Sequence, residues 1–288
     1  DSKVNGAFQF RQQNGITEPY AYDANGNLTK DMYKGIDHIS YNVMNMPEKL
    51  DFKTGESIAY IYDADGNKLG SMYIFDAQIL GNTVLPPGID IGNSGVTHPK
   101  GIGTASEEVS TQRATLRMSS RLSFAGNCIY DNGLLSKVMF DGGYVEIACP
   151  KGPLQERHYI TDSQGNVRVV ADEEGKAVQV NHYYPYGGLF AESTELNGQR
   201  YRFSGKELDR MCGLDWYFYG ARWYDAAIGR WNTKDPLEEK YPWISPYAFC
   251  NNNPVKYIDP DGRLIVGARK SDAIKAVADL KHIFSDEK

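Results

Sequence analysis

Several residue types in this chain could support catalysis or metal binding, but their spacing does not match the usual arrangements. The five histidines show no ligand spacing on one element, and Ser204 stands in Phe-Ser-Gly-Lys rather than Gly-x-Ser-x-Gly. Gly101-Ile102-Gly103 is not followed by Gly-Lys-Ser/Thr, so a phosphate loop is not indicated. No Cys-x-x-Cys pair occurs, so we expect free, buried thiols rather than a zinc site at Cys128, Cys149, Cys212 and Cys250. We therefore expect neither a metal nor a cofactor.

Two aspartates and one arginine remain as candidates for chemistry, and each also has a structural explanation. Asp259 opens Asp-Pro-Asp-Gly, which has the residue order of a type I turn. Asp235 precedes a proline and could cap or begin a turn. Arg222 is followed by Trp-Tyr and could stack on a ring or pair with an acid. From the residues alone, a turn role is favoured for Asp259.

The composition indicates a folded chain that is rich in short strands. The 288 residues include 29 Gly, 13 Pro and 20 Tyr, and turn-formers combined with aromatics favour strands over long helices. Lys plus Arg is 31 against 37 Asp plus Glu, so the net charge of −6 argues against a phosphate-backbone binder. No apolar run reaches the roughly 18 residues of a membrane span. The N-terminus has neither an initiator Met nor a signal-like stretch, as expected for an internal piece of a longer polypeptide.

An internal repeat supplies the elements that must position these side chains. Tyr22-Asp23 is followed by Ala-Asn-Gly-Asn, and Tyr62-Asp63 forty residues on by Ala-Asp-Gly-Asn. Tyr41-Asn42 opens a degenerate copy between them, and the pattern returns at Asp162 and, more weakly, at Asp172. The side chain of an Asp at the first turn position can accept hydrogen bonds from the backbone N–H groups of the turn, and Gly can adopt a positive φ. Each unit of about 20 residues is predicted to be a strand, a turn and a strand, stacked on its neighbours as a β-sheet.

The units predict the following organisation. Repeats occupy 1–75, an irregular Gly-, Ser-, Thr- and Pro-rich insertion occupies 76–123, and repeat-like strands occupy 124–202. A final unit spans 203–264, and a helix capped by Ser271 is expected within 265–288.

The repeats resemble the YD repeats of the Rhs family, and Phe203 to Gly262 is similar to the Rhs repeat-associated core domain. The similarity rests on motifs in a matching order: Phe203-Ser-Gly-Lys-Glu, Tyr217-Phe-Tyr-Gly-Ala-Arg-Trp-Tyr-Asp225, Gly229-Arg-Trp231, Asp235-Pro236, Pro246-Tyr-Ala-Phe249, Asn252-Asn-Pro254 and Asp259-Pro-Asp-Gly262. The resemblance implies a mainly β fold: a YD-repeat sheet spiral, part of a shell around a C-terminal toxin, capped by the core domain and ending in a short helical tail.

The resemblance also implies an activity. Several family members cut their own chain after Asp-Pro-x-Gly with two aspartates and an arginine, which correspond to Asp235, Asp259 and Arg222. Two carboxyl groups sharing a proton can activate water and protonate the leaving amide, and a nearby Arg can stabilise the charges. Arg263 stands where such members usually carry an apolar residue, so the scissile bond could be Leu264–Ile265, be shifted by one residue, or be absent.

We thus expect a fragment of a bacterial Rhs-family polymorphic toxin that encapsulates its effector and acts as a single-turnover aspartic autoprotease near Leu264. Residues 265–288 would begin the variable effector region. The expected partners are the chain's own toxin domain, a secretion apparatus and an immunity protein, with no nucleic acid, and the expected location is secreted or cell-surface. One alternative is a non-catalytic scaffold or adhesin that binds carbohydrate or protein; a glycosidase-like hydrolase is the weakest alternative, because nothing marks a sugar cleft.

Overall fold

A computed structural model describes residues 18–80, 83–85, 114–147, 152–189 and 199–268. In these ranges the chain is built from antiparallel strands, and its helical segments are 3₁₀ turns of three or four residues. This confirms the expected mainly β fold. No helix within the described ranges is both long and apolar enough to cross a bilayer. The helix expected after Ser271 lies outside the described residues.

Among the described residues up to Val180, one antiparallel sheet contains fourteen strands. Consecutive strands pair in chain order, except that β6 pairs with both β7 and β8. The strands are β1 (Tyr20–Tyr22), β2 (Leu28–Asp31), β3 (Ile36–Tyr41), β4 (Pro47–Phe52), β5 (Ser57–Tyr62), β6 (Lys68–Leu80), β7 (Thr83–Leu85), β8 (Ala114–Ala125), β9 (Cys128–Asp131), β10 (Leu134–Phe140), β11 (Gly143–Ile147), β12 (Leu154–Thr161), β13 (Val167–Ala171) and β14 (Ala177–Val180).

The turns between the paired strands explain why the repeat forms hairpins. The Asp63 carboxylate accepts the N–H groups of Asp65 and Asn67 at 2.9 and 2.8 Å, and Gly66 has φ of +85°. Asp23, Asp162 and Asp172 accept the equivalent N–H groups in their own turns. The Asp side chain thus satisfies backbone donors that the strand ladder leaves unpaired. The predicted strand–turn–strand unit is confirmed at these turns.

The degenerate copy at Tyr41-Asn42 forms the same turn with an amide in place of the carboxylate. The Asn42 side-chain oxygen accepts the N–H groups of Met44 and Met46 at 2.9 and 3.0 Å. The repeat tyrosines also tie successive units together, because the hydroxyl groups of Tyr41 and Tyr62 donate to the carbonyls of Leu28 and Pro47. Each ring packs in the sheet while its hydroxyl bonds the backbone of the preceding unit.

The segment predicted to be irregular over 76–123 is regular wherever it is described. Strand β6 continues to Leu80, β7 covers 83–85, and β8 begins at Ala114. Ten residue pairs join β6 and β8, from Gly70↔Ser123 to Ile79↔Ala114. The Ser and Thr content of this segment favours a loop, but in the sheet Ser119 and Ser123 lie on the face opposite to Met118, Leu122 and Phe124, as the alternation of a strand requires. Residues 86–113 lie outside the described part of the chain.

The residues after 199 form a separate four-stranded antiparallel sheet and a short hairpin, which we call the core unit (199–268). Its sheet contains β15 (Glu207–Asp209), β16 (Trp216–Phe218), β17 (Trp223–Asp225) and β18 (Arg230–Trp231), and its hairpin contains β19 (Tyr257–Ile258) and β20 (Val266–Gly267). Its interior is largely aromatic, with Tyr217, Tyr219, Tyr224, Trp231 and Phe249 all at most 3% exposed.

The core unit packs on one face of the large sheet. Leu214, Trp216 and Trp223 are fully buried against a cluster of sheet residues that includes Ile39, Leu50, Ile58 and Tyr60. Polar contacts fix the register of this packing: Tyr60 Oη donates to Asp209 at 2.8 Å, and Trp223 Nε1 donates to Tyr62 Oη at 3.0 Å. The sheet and the core unit therefore share one apolar interior.

Candidate functional site

Arg222 lies at the centre of the candidate site. It occupies the turn between β16 and β17, where the Tyr219 N–H donates to the Arg222 carbonyl, and its side chain is 2% exposed. Its Nε donates to the Gly262 carbonyl at 2.5 Å and its Nη1 to the Pro246 carbonyl at 3.0 Å. Its guanidinium lies 4.1 Å from the Trp231 ring centroid. Both structural roles considered for this arginine, ring stacking and ion pairing, are therefore realised together.

Asp235 forms the shorter of two ion pairs with Arg222. Its Oδ2 accepts from Arg222 Nη2 at 2.8 Å, and its Oδ1 accepts the Leu237 N–H at 2.8 Å. The residue is 8% exposed. It thus begins a turn, and one of its carboxylate oxygens also faces the arginine.

Asp259 forms the longer ion pair, with the same arginine nitrogen. Its Oδ2 lies 3.6 Å from Arg222 Nη2, a distance within ion-pair range but too long for a hydrogen bond. This oxygen is buried and accepts no hydrogen bond. Its Oδ1 is occupied by the turn, accepting the N–H groups of Gly262 at 2.7 Å and of Asp261 and Arg263 at 3.2 Å. The fold therefore brings Asp235, Asp259 and Arg222 together, as the family resemblance implied.

Burial decides the electrostatics of this cluster. It raises the pKa of Asp259 to about 6, although Arg222 and the turn N–H groups oppose the rise. It also lowers the pKa of Arg222, against the pull of both aspartates. A carboxyl group with a pKa near 6 can hold a proton close to neutrality, while its partner remains in an ion pair with the guanidinium. This pairing suits general acid–base chemistry.

The expected cleavage site lies directly after this cluster. The Arg263 and Leu264 N–H groups donate to Asp261 Oδ1 at 3.0 and 3.1 Å, so Asp261 holds the chain that leaves the turn. Leu264 is 40% exposed. The next residue, Ile265, precedes β20, which pairs with β19 through Ile258↔Val266. The Leu264–Ile265 bond therefore lies in the loop of the β19–β20 hairpin, and a cut there would separate its two strands.

Two neighbours of the site were not assigned a role from the sequence. Burial raises the pKa of Tyr241, and the nearby backbone of Ile265 opposes this rise, which places the Tyr241 hydroxyl near the expected leaving amide. Lys206 Nζ donates to the Pro260 carbonyl, inside the turn that carries Asp259, at 2.6 Å. Lys206 belongs to the Phe-Ser-Gly-Lys-Glu motif, and this membership is the sequence feature that could have indicated its role. Nothing in the local sequence indicates a role for Tyr241.

Within the ranges that the structure describes, no three His, Cys, Asp or Glu side chains are arranged to hold a metal ion. The arrangement at Arg222 is instead two carboxyl groups on one guanidinium, with a peptide carbonyl on the same arginine. Such a set can activate water, protonate an amide nitrogen and stabilise an oxyanion.

Comparison with known proteins gives one family match and several partial relatives. The family described as Teneurin YD-shell matches residues 131–255. Salivary gland surface protein 1 of Aedes aegypti is 38% identical over 109 residues, covering 37% of this chain and 3% of that protein. Toxin subunit YenC2 of Yersinia entomophaga is 33% identical over 123 residues, covering 39% of this chain and 12% of the relative. The tRNA nuclease WapA of Bacillus subtilis is 26% identical over 292 residues, covering 91% of this chain and 12% of the relative.

Solved structures share the fold at low sequence identity. The crystal structure of TcdB2-TccC3-Cdc42 superposes with a TM-score of 0.59 at 21% identity, covering 84% of this chain and 11% of that one. The Tc holotoxin pore of Photorhabdus luminescens gives a TM-score of 0.56 at 19% identity, covering 88% of this chain and 11% of that one. The chain thus spans a small part of each relative. The Tyr-Asp hairpins, the family match over residues 131–255 and the shared fold together support the resemblance of this chain to Rhs/YD-shell proteins.

Proposed function

We propose that this chain is the last part of a toxin shell, that the shell encloses a C-terminal effector, and that the core unit frees the effector by cutting its own chain. The observation that carries the self-cleavage proposal is that one buried arginine faces both Asp235 and Asp259 and also binds the Gly262 carbonyl. These contacts assemble an acid, a base and a cation beside the loop that contains Leu264.

The cleavage step is a single hydrolysis of the Leu264–Ile265 peptide bond. The Asp235 carboxylate accepts a proton from a water molecule, and the oxygen of that water attacks the Leu264 carbonyl carbon. The protonated Asp259 donates a proton to the Ile265 nitrogen as the C–N bond breaks, leaving a Leu264 carboxyl group and an Ile265 amine. The raised pKa of Asp259 supports its role as the acid, and its unpartnered Oδ2 is the oxygen available to carry the proton. Because the site acts on its own chain, one turnover completes the reaction.

The toxin-shell assignment draws on the relatives. Two of them are named toxin subunits of Yersinia entomophaga, and the shared fold occurs in assembled Tc toxin structures. By analogy, this chain would enclose its own C-terminal domain, associate with other toxin components and act outside the producing cell. A secretion apparatus and an immunity protein would be the further partners.

A second function, a scaffold without catalysis, is favoured by a different observation. Asp259 Oδ1 and Asp235 Oδ1 both accept turn N–H groups, and Arg222 binds two backbone carbonyls. These contacts alone would explain why the three side chains are buried, since together they stabilise the fold of the core unit. The scaffold could then bind carbohydrate or protein through its sheet.

Intact-mass analysis of the 288-residue protein separates the two functions. Self-cleavage predicts a product ending at Leu264 and a released peptide of 24 residues, 265–288. The Asp235→Asn and Asp259→Asn variants should remain full length, because asparagine keeps the turn acceptor and removes the titratable group.

Asp172→Asn is the matched control, since Asp172 accepts turn N–H groups in the same way but lies in the β13–β14 turn. It should be cleaved like the wild type. A wild-type protein that stays full length would contradict self-cleavage of this chain and indicate either the scaffold function or a site disabled by Arg263 or by missing upstream repeats. Cleavage that persists in both site variants would reject the assignment of the two aspartates.

A further inference from the structure

Lys206 connects the candidate site to the rest of the core unit. Its ammonium donates to the Pro260 carbonyl at 2.6 Å and lies 5.3 Å from the Tyr219 ring centroid. Pro260 directly follows Asp259, so this contact helps to hold the turn that carries Asp259, together with the Arg222 contact to the Gly262 carbonyl. Within the described hydrogen bonds, Lys206 is the side chain from outside the turn that binds the Pro260 carbonyl.

The neighbour of Lys206 in sequence faces the opposite way. Glu207 forms a buried ion pair with Lys68 of β6 at 2.6 Å. Successive side chains on an extended strand point to opposite faces, so this dipeptide contacts the large sheet with one side chain and the Asp259 turn with the other. The position of Lys206 is therefore set by the packing of the core unit on the sheet.

Lys206 is also an electrostatic neighbour of Asp259. Burial lowers the pKa of Lys206, whereas the charges of Asp259 and Asp261 oppose this shift. Among the described residues, the other titratable or charged groups around Asp259 are Arg222 and Tyr219 from the β16–β17 hairpin, Asp235, Tyr241, Cys250 and, in its own turn, Asp261 and Arg263. Lys206 and Arg222 are the cations of this set that contact the turn from outside it.

We propose that Lys206 is a positioning residue for self-cleavage: it holds the Asp259 turn against the core unit and helps to set the protonation of Asp259. This inference rests on the proposed function. It adds a residue outside the Arg222 cluster on which both the geometry and the pH dependence of cleavage depend.

The first test compares cleavage rates of Lys206→Met and Lys206→Arg by intact mass across a pH series. Methionine keeps an unbranched apolar side chain at this position but removes the charge and the donor, so cleavage should slow by about tenfold or more. Loss of a nearby cation should also move the high-pH limb of the profile upward by about half a pH unit, because Asp259 then keeps its proton to higher pH. Arginine retains both the charge and a donor and should restore the wild-type profile.

A second measurement does not depend on cleavage. In the Asp235→Asn background, which should remain uncut, carboxyl-carbon NMR titration reports the protonation of Asp259 directly. Lys206→Met should raise the titration midpoint of Asp259 by about half a pH unit, and Lys206→Arg should leave it unchanged. Circular dichroism melting of each variant checks that it is folded.

Lys176→Met is the control, since Lys176 is an exposed lysine in the β13–β14 turn. Wild-type cleavage and an unchanged titration in folded Lys206→Met would overturn the proposal, and so would a failure of arginine to restore the profile. If the wild-type chain is never cut, the proposed function fails on its own. The NMR titration then still decides whether Lys206 acts on Asp259, and an unmoved midpoint would overturn that coupling as well.

Discussion

The ion pair between Lys68 and Glu207 should be a major determinant of how the core unit stays on the large sheet. Lys68 Nζ lies 2.6 Å from Glu207 Oε2, and the two side chains are 2% and 4% exposed. Four aromatic rings surround the ammonium, with centroids at 5.1 to 5.6 Å: Tyr60, Phe124, Phe218 and Trp223. The pair therefore lies in an apolar environment at the junction of β6, β8 and the core unit.

Removing one partner leaves the other charge buried without its close ion pair. Lys68→Met should lower the free energy of unfolding by about 3–5 kcal/mol, and Glu207→Met by a similar amount. Arg200 Nη1, at 3.9 Å from Glu207 Oε1, offers the stranded glutamate a weak second partner, so Lys68→Met should be at the lower end. The double variant removes both charges and fills the space with apolar atoms, so it should lie within about 1 kcal/mol of the wild type.

Urea unfolding followed by tryptophan fluorescence measures these differences, because Trp216 and Trp223 are fully buried where the core unit meets the sheet. Lys137→Met is the matched control: its Nζ lies 4.9 Å from the Tyr144 ring centroid and 3.5 Å from Glu146, but the pair is partly exposed. It should cost less than about 1 kcal/mol. Single variants at 68 and 207 that cost no more than this control, or a double variant as unstable as their sum, would refute the reasoning.

Three further predictions concern the turns and the buried acids. Gly26→Ala should lower the free energy of unfolding in urea more than Gly66→Ala. Both glycines have a positive φ, but only at Gly26 would the new Cβ lie close to side-chain atoms, including Tyr247 Oη at 2.5 Å. Equal costs of about 1 kcal/mol each would show that φ alone matters. Asn166→Ala should cost more than Asn67→Ala, because the Asn166 amide oxygen also accepts the Ser204 N–H at 2.7 Å; thermal melting compares the two, and matching midpoints would contradict the role of that contact. Burial, together with the Asp225 charge, raises the pKa of Asp31 to about 6, above its ordinary 3.8. The ionised Asp31 carboxylate therefore destabilises the folded state above about pH 6, and this destabilisation disappears as the pH falls toward 4. Asp31→Asn should therefore gain stability relative to wild type by up to about 3 kcal/mol on going from about pH 4 to 7.5, and a pH-independent difference between the two proteins would disprove this.

The repeat could be predicted from the sequence because its determinants are local. Asp63 bonds N–H groups two and four residues away, and the glycine between them supplies the positive φ. Both requirements can be recognised in a window of five residues. Strand β8 could not be recognised in this way: its Ser-rich sequence resembles a loop until β6 is placed beside it, and pairing with a partner more than thirty residues away is a property of the sheet.

The candidate site was predictable in its members but not in its arrangement. Family resemblance pointed to Arg222, Asp235 and Asp259, and local rules pointed equally to turns at both aspartates. In the fold both descriptions hold, since one oxygen of each carboxyl group serves its turn while the other faces Arg222. The position of Tyr241 near Ile265 could not be predicted, because it depends on how the loop after Asp235 packs against the β19–β20 hairpin.

The amino-acid sequence by itself determined the hairpin turns and the strands of the Tyr-Asp repeats, because turn hydrogen bonding and side-chain alternation act over a few residues. Only the tertiary structure decided that the pKa of Asp259 rises to about 6 and that Lys68 meets Glu207 among aromatic rings. Both depend on removing charges from water, and burial is produced by segments that are far apart in the chain.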